Sequence, residues 1–481
     1  MLFNSWQFLI FFPLVVAAYF LLPHRLRWML LLGASYYFYM CWKPEYALLL
    51  MFSTVIDYYT GLQMGKATSA RKRKFYLGVS LSSNLGILFL FKYFNFLNAS
   101  ARAVFDQFNL FYNVPMFELL LPVGISFYTF QTLSYSIDVY RGRLAPEKHL
   151  GMFALYVTFF PQLVAGPIER STNLLPQFYR VHGIDRQRIL DGLKLMLWGF
   201  FKKIVIADRL AVYVNQAYNN PAGASGADLL VATYFFAFQI YCDFSGYSDI
   251  AIGAAKVMGF ELMENFRRPY LSQSIAEFWQ RWHISLSTWF KDYLYIPLGG
   301  NRVAKWRWLC NLFIVFLVSG LWHGANWTFV VWGALHGFYL VFSIWTDNAR
   351  RWLWQAARLD RLAGVVRVTR MLLTFHLVLF AWIFFRANHL ADAYLIITKI
   401  APAVASVFRF ELVPAVSLIE TRALLLMLVL ITGMSLYERF QSAVGARLGN
   451  RYARVAFASV LFWVILVWGA FNNQQFIYFQ F

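Results

Sequence analysis

His323 sits in a run, residues 308 to 345, that contains no Asp, Glu, Lys or Arg. An imidazole taken into hydrocarbon needs a hydrogen-bonding partner or water, so an ionisable side chain at that depth marks a functional site by default. The chemistry it offers is proton transfer, because a neutral imidazole can take up a proton near pH 7. Its neighbours, SGLWHGANW at 319 to 327, add Gly320 and Gly324, which let backbone or substrate approach closely, and Ser319 and Asn326 as polar partners. The segment predicts a lined cavity around the ring.

A second imidazole, His283, lies in RWHISLSTW, 40 residues earlier, and the intervening chain can return it to the same cavity. Taken alone, a histidine beside tryptophan also reads as a hydrogen-bonded packing residue. His336 and His376 occupy apolar stretches with little polar company and are expected to be structural, while His24, His149, His182 and His389 fall in loops or at span ends. Asp243 and Asp249 are six residues apart, about 240° on a helix, so they do not make a paired carboxylate site. Asp243, with Ser245 and Gly246, is expected to cap or anchor a broken helix, the alternative being to orient an imidazole. The loop PLGGNR (297 to 302) places Gly299, Gly300, Asn301 and Arg302 ahead of Lys305 and Arg307. Its backbone N–H groups and charge suit the phosphates of a donor, although the same letters describe an ordinary basic turn. Cys41, Cys242 and Cys310 have no metal-ligand spacing, so no metal is expected.

The elements that must position these groups are membrane spans. Hydrophobic residues make up 60% of the 481 and charged residues 14%, against about 25% charged in a soluble domain. Windows of the length needed to cross a bilayer give about ten to twelve candidates. They lie near 6–22, 28–42, 46–64, 75–91, 119–137, 150–166, 229–258, 309–345, 371–386, 423–437 and 455–471. Several are short or carry Pro and Gly, which predicts broken or re-entrant helices, since unpaired backbone at membrane depth survives only under cover of protein or in a wet cavity. The first span lacks a basic leader and a small-residue cleavage site, so it is expected to be retained.

A net charge of +20 raises the question of nucleic acid. The basic residues instead cluster in short loops: Arg25 and Arg27; Lys66 with Arg71, Lys72, Arg73 and Lys74; Arg350 to Arg370; and Arg439 to Arg454. That pattern is the positive-inside rule plus contact with anionic lipid, and it excludes a nucleic-acid partner. With all four loops in the cytoplasm, both termini are expected outside, and the uncharged tail from Asn472 to Phe481 fits an external end. Residues 243 to 307 mix charge with dense aromatics, too polar to span and too aromatic for a solvated loop. Helices along the cytoplasmic face are expected there, covered on more than one side because Trp279, Trp282, Ile284, Leu286 and Trp289 form no single stripe.

Five stretches together resemble the membrane-bound O-acyltransferase family, in its alginate, peptidoglycan and cellulose O-acetylation branch. They are LLPVGISFYTFQTLSYSIDVYRG (120 to 142), FFPQLVAGPIER (159 to 170), DFSGYSDIAIG (243 to 253), the run NFRRPYLSQSIAEFWQRWHISLSTWFKDYLYIPLGGNR (265 to 302) and SGLWHGANWTFVVWGALHG (319 to 337). The resemblance implies an all-α polytopic fold, a ring of helices around a central funnel, in one integral domain (1 to 481) with its catalytic core at 243 to 345. It maps the family's invariant histidine onto His323 and its second motif histidine onto His283. It further implies a bacterial inner-membrane enzyme that passes acetyl from a cytoplasmic donor, acetyl-CoA, to an acceptor reached from the periplasm, either a polysaccharide hydroxyl or a partner protein. The chemistry agrees: His323 serves as general base on a hydroxyl, and His283 or Asn326 donates to the oxyanion. A covalent acetyl-enzyme stays open. A transporter of acyl carriers or polysaccharide is the alternative from another class, and it would show two halves with matching interrupted segments, which are not seen. An acyltransferase for lipids or secreted proteins would use the same histidine chemistry.

Overall fold

The computed structural model describes residues 1–117, 120–356, 362–409, 416–447, 451–471 and 476–477, and among them the regular secondary structure is helical throughout. The helices are α1 (Trp6–Leu21), α2 (His24–Met40), α3 (Glu45–Lys66), α4 (Ala70–Leu88), α5 (Phe94–Gln107), α6 (Ile125–Tyr140), α7 (Leu150–Thr158), α8 (Phe160–Leu163), α9 (Ser171–Phe178) and α10 (Arg186–Phe200). They continue as α11 (Asp208–Asn219), α12 (Gly226–Met258), α13 (Ile275–Arg281), α14 (Ile284–Phe290), α15 (Lys305–His323), α16 (Trp327–Trp345), α17 (Asp347–Ala356), α18 (Ala363–Arg386), α19 (Leu390–Phe408), α20 (Thr421–Arg447) and α21 (Arg451–Trp468). Among the described residues, five helical stretches are long and apolar enough to cross a membrane: 70–107, 226–258, 327–345, 363–386 and 421–440. The chain is an all-α polytopic membrane protein.

Every window read as a span overlaps helix, and further helices stand outside those windows: α5, α9 to α11, α13, α14, α17 and α19. The uncharged run at 308 to 345 is two helices, α15 and α16, turned at residues 324–326. Asn326 makes that turn by capping α16, its Oδ1 accepting the Thr328 N–H at 3.0 Å. Of the tail from 472 to 481, all but residues 476 and 477 lies outside the described residues.

The helices cluster into two compact units, residues 1–196 with 248–263, and residues 197–247 with 264–481. In the first, α3, α4 and α6 share a buried polar core. Asp57 on α3 accepts from Ser80 Oγ at 2.6 Å and from Asn84 Nδ2 at 2.9 Å, both on α4. Asn84 Oδ1 in turn accepts from Ser53 at 2.8 Å and from Thr132 on α6 at 3.2 Å. Lipid tails give helices no hydrophobic reason to associate, so such polar ties and close packing hold them together.

In the second unit, α15 and α16 cross backbone to backbone. A Cβ at Gly320 would lie 2.3 Å from the Phe329 carbonyl oxygen, and one at Gly333 would lie 2.4 Å from that of Phe316. Only glycine permits that approach, and it fixes where His323, one turn beyond Gly320 on α15, can stand. Between α10 and α11 the chain winds as a π-helix, Phe201–Ala207, and its Ile204 carbonyl accepts the Ala470 N–H at 2.8 Å. A π turn displaces backbone groups from the usual ladder, and here one receives the chain leaving α21.

Candidate functional site

Both motif histidines lie in the second unit, and Trp322 touches both. Its ring is 6.0 Å from that of His283 and 4.9 Å from that of His323. His323, the last residue of α15, is buried edge-on against Trp332 of α16 at 4.9 Å and Phe385 of α18 at 5.3 Å. Trp332 continues to His336 at 4.8 Å and Trp382 at 6.0 Å, so three helices build an aromatic cage around the imidazole.

His283 is held differently. It is the single residue between α13 and α14 in left-handed conformation, φ 44°, which non-glycine residues adopt at a cost and mainly where the surroundings impose it. The aromatic segment is covered as its irregular pattern predicts: Trp279, Trp282, Leu286 and Trp289 are all buried. The His283 ring packs on Phe244 at 4.6 Å, and its Nδ1 lies 3.1 Å from Asn265 Oδ1. That oxygen also receives the Ser285 backbone N–H at 3.3 Å and the Ser285 hydroxyl at 2.9 Å, so it is an acceptor and Nδ1 must be the donor. Nε2 therefore carries the lone pair. Burial pushes the His283 pKa down to about 3, which keeps the ring neutral. A neutral ring that is unprotonated at Nε2 is an acceptor at that nitrogen and cannot donate from it to an oxyanion.

Asn265 was not foreseen as a functional residue; the signal available was its place two residues ahead of a pair of arginines in the same motif run. Its backbone carbonyl also accepts the Ile284 N–H at 2.9 Å, locking the segment to the start of α14.

Asp243, expected to cap or anchor a broken helix or else to orient an imidazole, is engaged by a lysine of the π-helix and by a backbone N–H. It lies inside α12, where its Oδ1 meets Lys203 Nζ at 2.7 Å and its Oδ2 accepts the Ile477 N–H at 2.9 Å. Lys203 also pairs with Asp208 at 2.8 Å, and neighbouring Lys202 donates to Ser245 at 2.9 Å and lies 3.8 Å from Glu438. Both lysines are buried within the π-helix, where hydrogen-bonded pairing makes a buried charge tolerable. Sequence reading missed this cluster because FFKKIVIADR looks like an ordinary basic span end. Phe476, beside the anchored Ile477, packs 5.6 Å from Phe244, the ring that lies against His283.

Asn326 spends its amide on the α16 cap and on the Asn388 carbonyl, 2.9 Å away. Ser319 is buried one turn before His323 on the same helix. In the PLGGNR loop, Gly299 (φ 104°) and Gly300 (φ 55°) take left-handed turns, and Asn311 Nδ2 donates to the Leu298 and Gly300 carbonyls at 3.2 and 3.1 Å. The N–H groups of Gly299, Gly300 and Arg302 bond to carbonyls of Ile296, Tyr295 and Gly299. What the loop can offer a phosphate is thus chiefly side-chain charge, from exposed Arg302 and then Lys305 and Arg307, with Asn301 also exposed. His336 is also buried, and its Nδ1 accepts the Trp279 indole N–H at 3.3 Å. No group of His, Cys, Asp and Glu among the described residues could hold a metal ion.

A family model, described as MBOAT, membrane-bound O-acyltransferase family, matches residues 148–384 and so takes in both histidines. The chain is 43% identical to the "Probable alginate O-acetylase AlgI" of Azotobacter vinelandii over 399 residues, 82% of this chain and 77% of that protein. It is 34% identical to the peptidoglycan O-acetyltransferase of Helicobacter pylori, over 82% of this chain and 78% of that protein. A teichoic acid D-alanyltransferase of Streptococcus thermophilus is 31% identical over 47% of this chain and 57% of its own length.

Proposed function

Because the chain belongs to the membrane-bound O-acyltransferase family, we propose that it transfers acetyl from a cytoplasmic thioester, acetyl-CoA, to a hydroxyl reached from the opposite face of the bacterial inner membrane, for O-acetylation of an acidic exopolysaccharide such as alginate. The direct acceptor is either the polymer or a periplasmic partner protein that completes the transfer. Both termini face the periplasm in this reading, with the four basic loops in the cytoplasm.

His323 removes the hydroxyl proton as the oxygen attacks the thioester carbonyl, and it returns that proton to the departing thiolate, so the products are an acetyl ester and a free thiol. His283 presents a lone pair, so its part is to accept a hydrogen bond from the alcohol or the thiol. The oxyanion needs a donor, and the Trp332 indole N–H, buried beside His323 with no hydrogen-bond partner among the described residues, supplies one. The basic start of α15 lies 18 residues from His323 along the helix, about 27 Å. A donor held there by its phosphates must carry its acyl group on a long arm, as acetyl-CoA does.

The observation that carries the reading is His323, buried in an aromatic cage at the end of α15, within the run from 308 to 345 that carries no Asp, Glu, Lys or Arg. His323→Ala is expected to reach the membrane at wild-type abundance and to abolish polymer acetylation, measured by mass spectrometry of the glycan. Acetylation at the wild-type level in that variant overturns the mechanism.

A further inference from the structure

Arg386 is the last residue of α18 and is buried, with 6% of its surface exposed. Its partners are neutral. Nη2 donates to Asn215 Oδ1 at 2.7 Å and Asn219 Oδ1 at 3.1 Å, both on α11, and Nη1 lies 3.5 Å from Asn388 Oδ1. The Tyr218 ring lies under the guanidinium at 5.6 Å. Among the described residues no carboxylate pairs with it. A guanidinium has five N–H groups, so Nε–H and one N–H of Nη1 are uncommitted.

A second cation stands at the same helix end. Lys399 Nζ donates to the carbonyls of Pro221, Ala222 and Ala224, at 3.0, 2.6 and 3.0 Å, in the turn that follows α11. Asp228, the carboxylate nearest that turn in sequence, is taken up by the Ser225 and Ser417 hydroxyls at 2.6 and 2.8 Å and by the Leu418 N–H at 3.0 Å. The α11 C-terminus contributes only about half a negative charge against two full positive ones. A buried charge left so unbalanced is costly unless an anion joins it.

The place suits an entering ligand. Asn219 and Asn388, which hold the guanidinium, are themselves exposed, so it sits just beneath a polar rim. Asn388 is tied through its carbonyl to Asn326, at the turn beyond His323, and Phe385, the residue before Arg386, touches the His323 ring. Arg386 also ends α18 at the opposite end from the basic stretch 350 to 370, which is the acceptor's side in the orientation proposed above.

We infer that Arg386 receives a carboxylate of the acceptor, a uronate of an acidic glycan, and so holds the chain with a hydroxyl toward His323. This rests on the proposed acetylation of an acidic polysaccharide, and it assigns the specificity for acid to one residue. Nε–H and the free N–H of Nη1 project from different edges of the guanidinium, because Nη2, the nitrogen beside Nε–H, is taken up by the two asparagines, so each remains a single charge-assisted donor to a carboxylate oxygen.

The test uses the full chain in nanodiscs of neutral lipid, with an oligomannuronate and the same oligosaccharide after its carboxyl groups are reduced to alcohols. The wild type is expected to bind the acidic form at least 10-fold more tightly, and Arg386→Gln to lose about 10- to 100-fold for the acidic form alone. Arg386→Lys recovers only part of that loss. Equal binding of the two oligosaccharides by the wild type overturns the inference without reference to any variant, as does an Arg386→Gln protein with wild-type melting temperature and affinity. A preference that disappears when phosphatidylglycerol is added assigns the site to lipid phosphate and also overturns it. His323→Ala should bind the oligomannuronate normally while failing to acetylate, which separates this inference from the transfer reaction itself.

Discussion

Replacing Asn265 tests whether His283 works through its Nε2 lone pair. Asn265 Oδ1 accepts from His283 Nδ1, the Ser285 hydroxyl and the Ser285 backbone N–H, so Asn265→Ala strands three buried donors. The contact from the Ile284 N–H to the Asn265 backbone carbonyl survives, because it involves no side chain. Losing the bond that fixes the imidazole frees the ring to change tautomer and to turn. If that bond is worth about 1–3 kcal/mol at the transition state, transfer slows roughly 5- to 150-fold. Asn265→Asp keeps the acceptor and adds a negative charge beside a ring that is now neutral, with a pKa of about 3. The charge favours imidazolium and raises that pKa. Transfer that needs the neutral ring is then intact above the new pKa and lost as pH falls through it, so the acid limb of the Asn265→Asp profile moves to higher pH than in the wild type. The assay is transfer from radiolabelled acetyl-CoA by purified protein in nanodiscs, with base-released acetate counted across pH and melting temperature measured alongside. In a double-mutant cycle, Asn265→Ala should add little to His283→Ala. Wild-type rates in Asn265→Ala, or losses that multiply fully in the double variant, would refute the coupling.

Gly320→Ala places a methyl group 2.3 Å from the Phe329 carbonyl oxygen, and because backbone cannot yield as a side chain does, the α15–α16 pair must separate. A melting temperature several degrees lower together with reduced transfer is expected, and a variant that melts and turns over like the wild type would show that the close approach does not set the position of His323. Lys203→Met leaves Asp208 and Asp243 buried without their shared cation, a change that costs about 3–5 kcal/mol when one partner of a buried pair is removed. Detergent-solubilised protein should be depleted or melt early, and adding Asp243→Asn should recover part of the loss; a single variant as stable as the wild type counts against the cluster as a structural anchor.

Composition and pattern alone determined that this chain is a helical membrane protein and that His323 is out of place in hydrocarbon unless it has work to do. Those properties are local: a run without charge, a basic loop or a glycine beside a histidine can be read one window at a time. The five motif stretches carried the family as well, because they are contiguous. Tertiary structure decided the partners. Lys203 meets Asp243 across 40 residues of sequence, Arg386 meets Asn215 across 171, and Ile477 meets Asp243 across 234. No periodicity encodes such pairings, since a buried lysine and a span-end lysine are the same letter beside the same apolar neighbours. The protonation geometry of His283 likewise came from the fold, because which nitrogen bears the proton depends on an oxygen that only the packed chain brings within 3.1 Å.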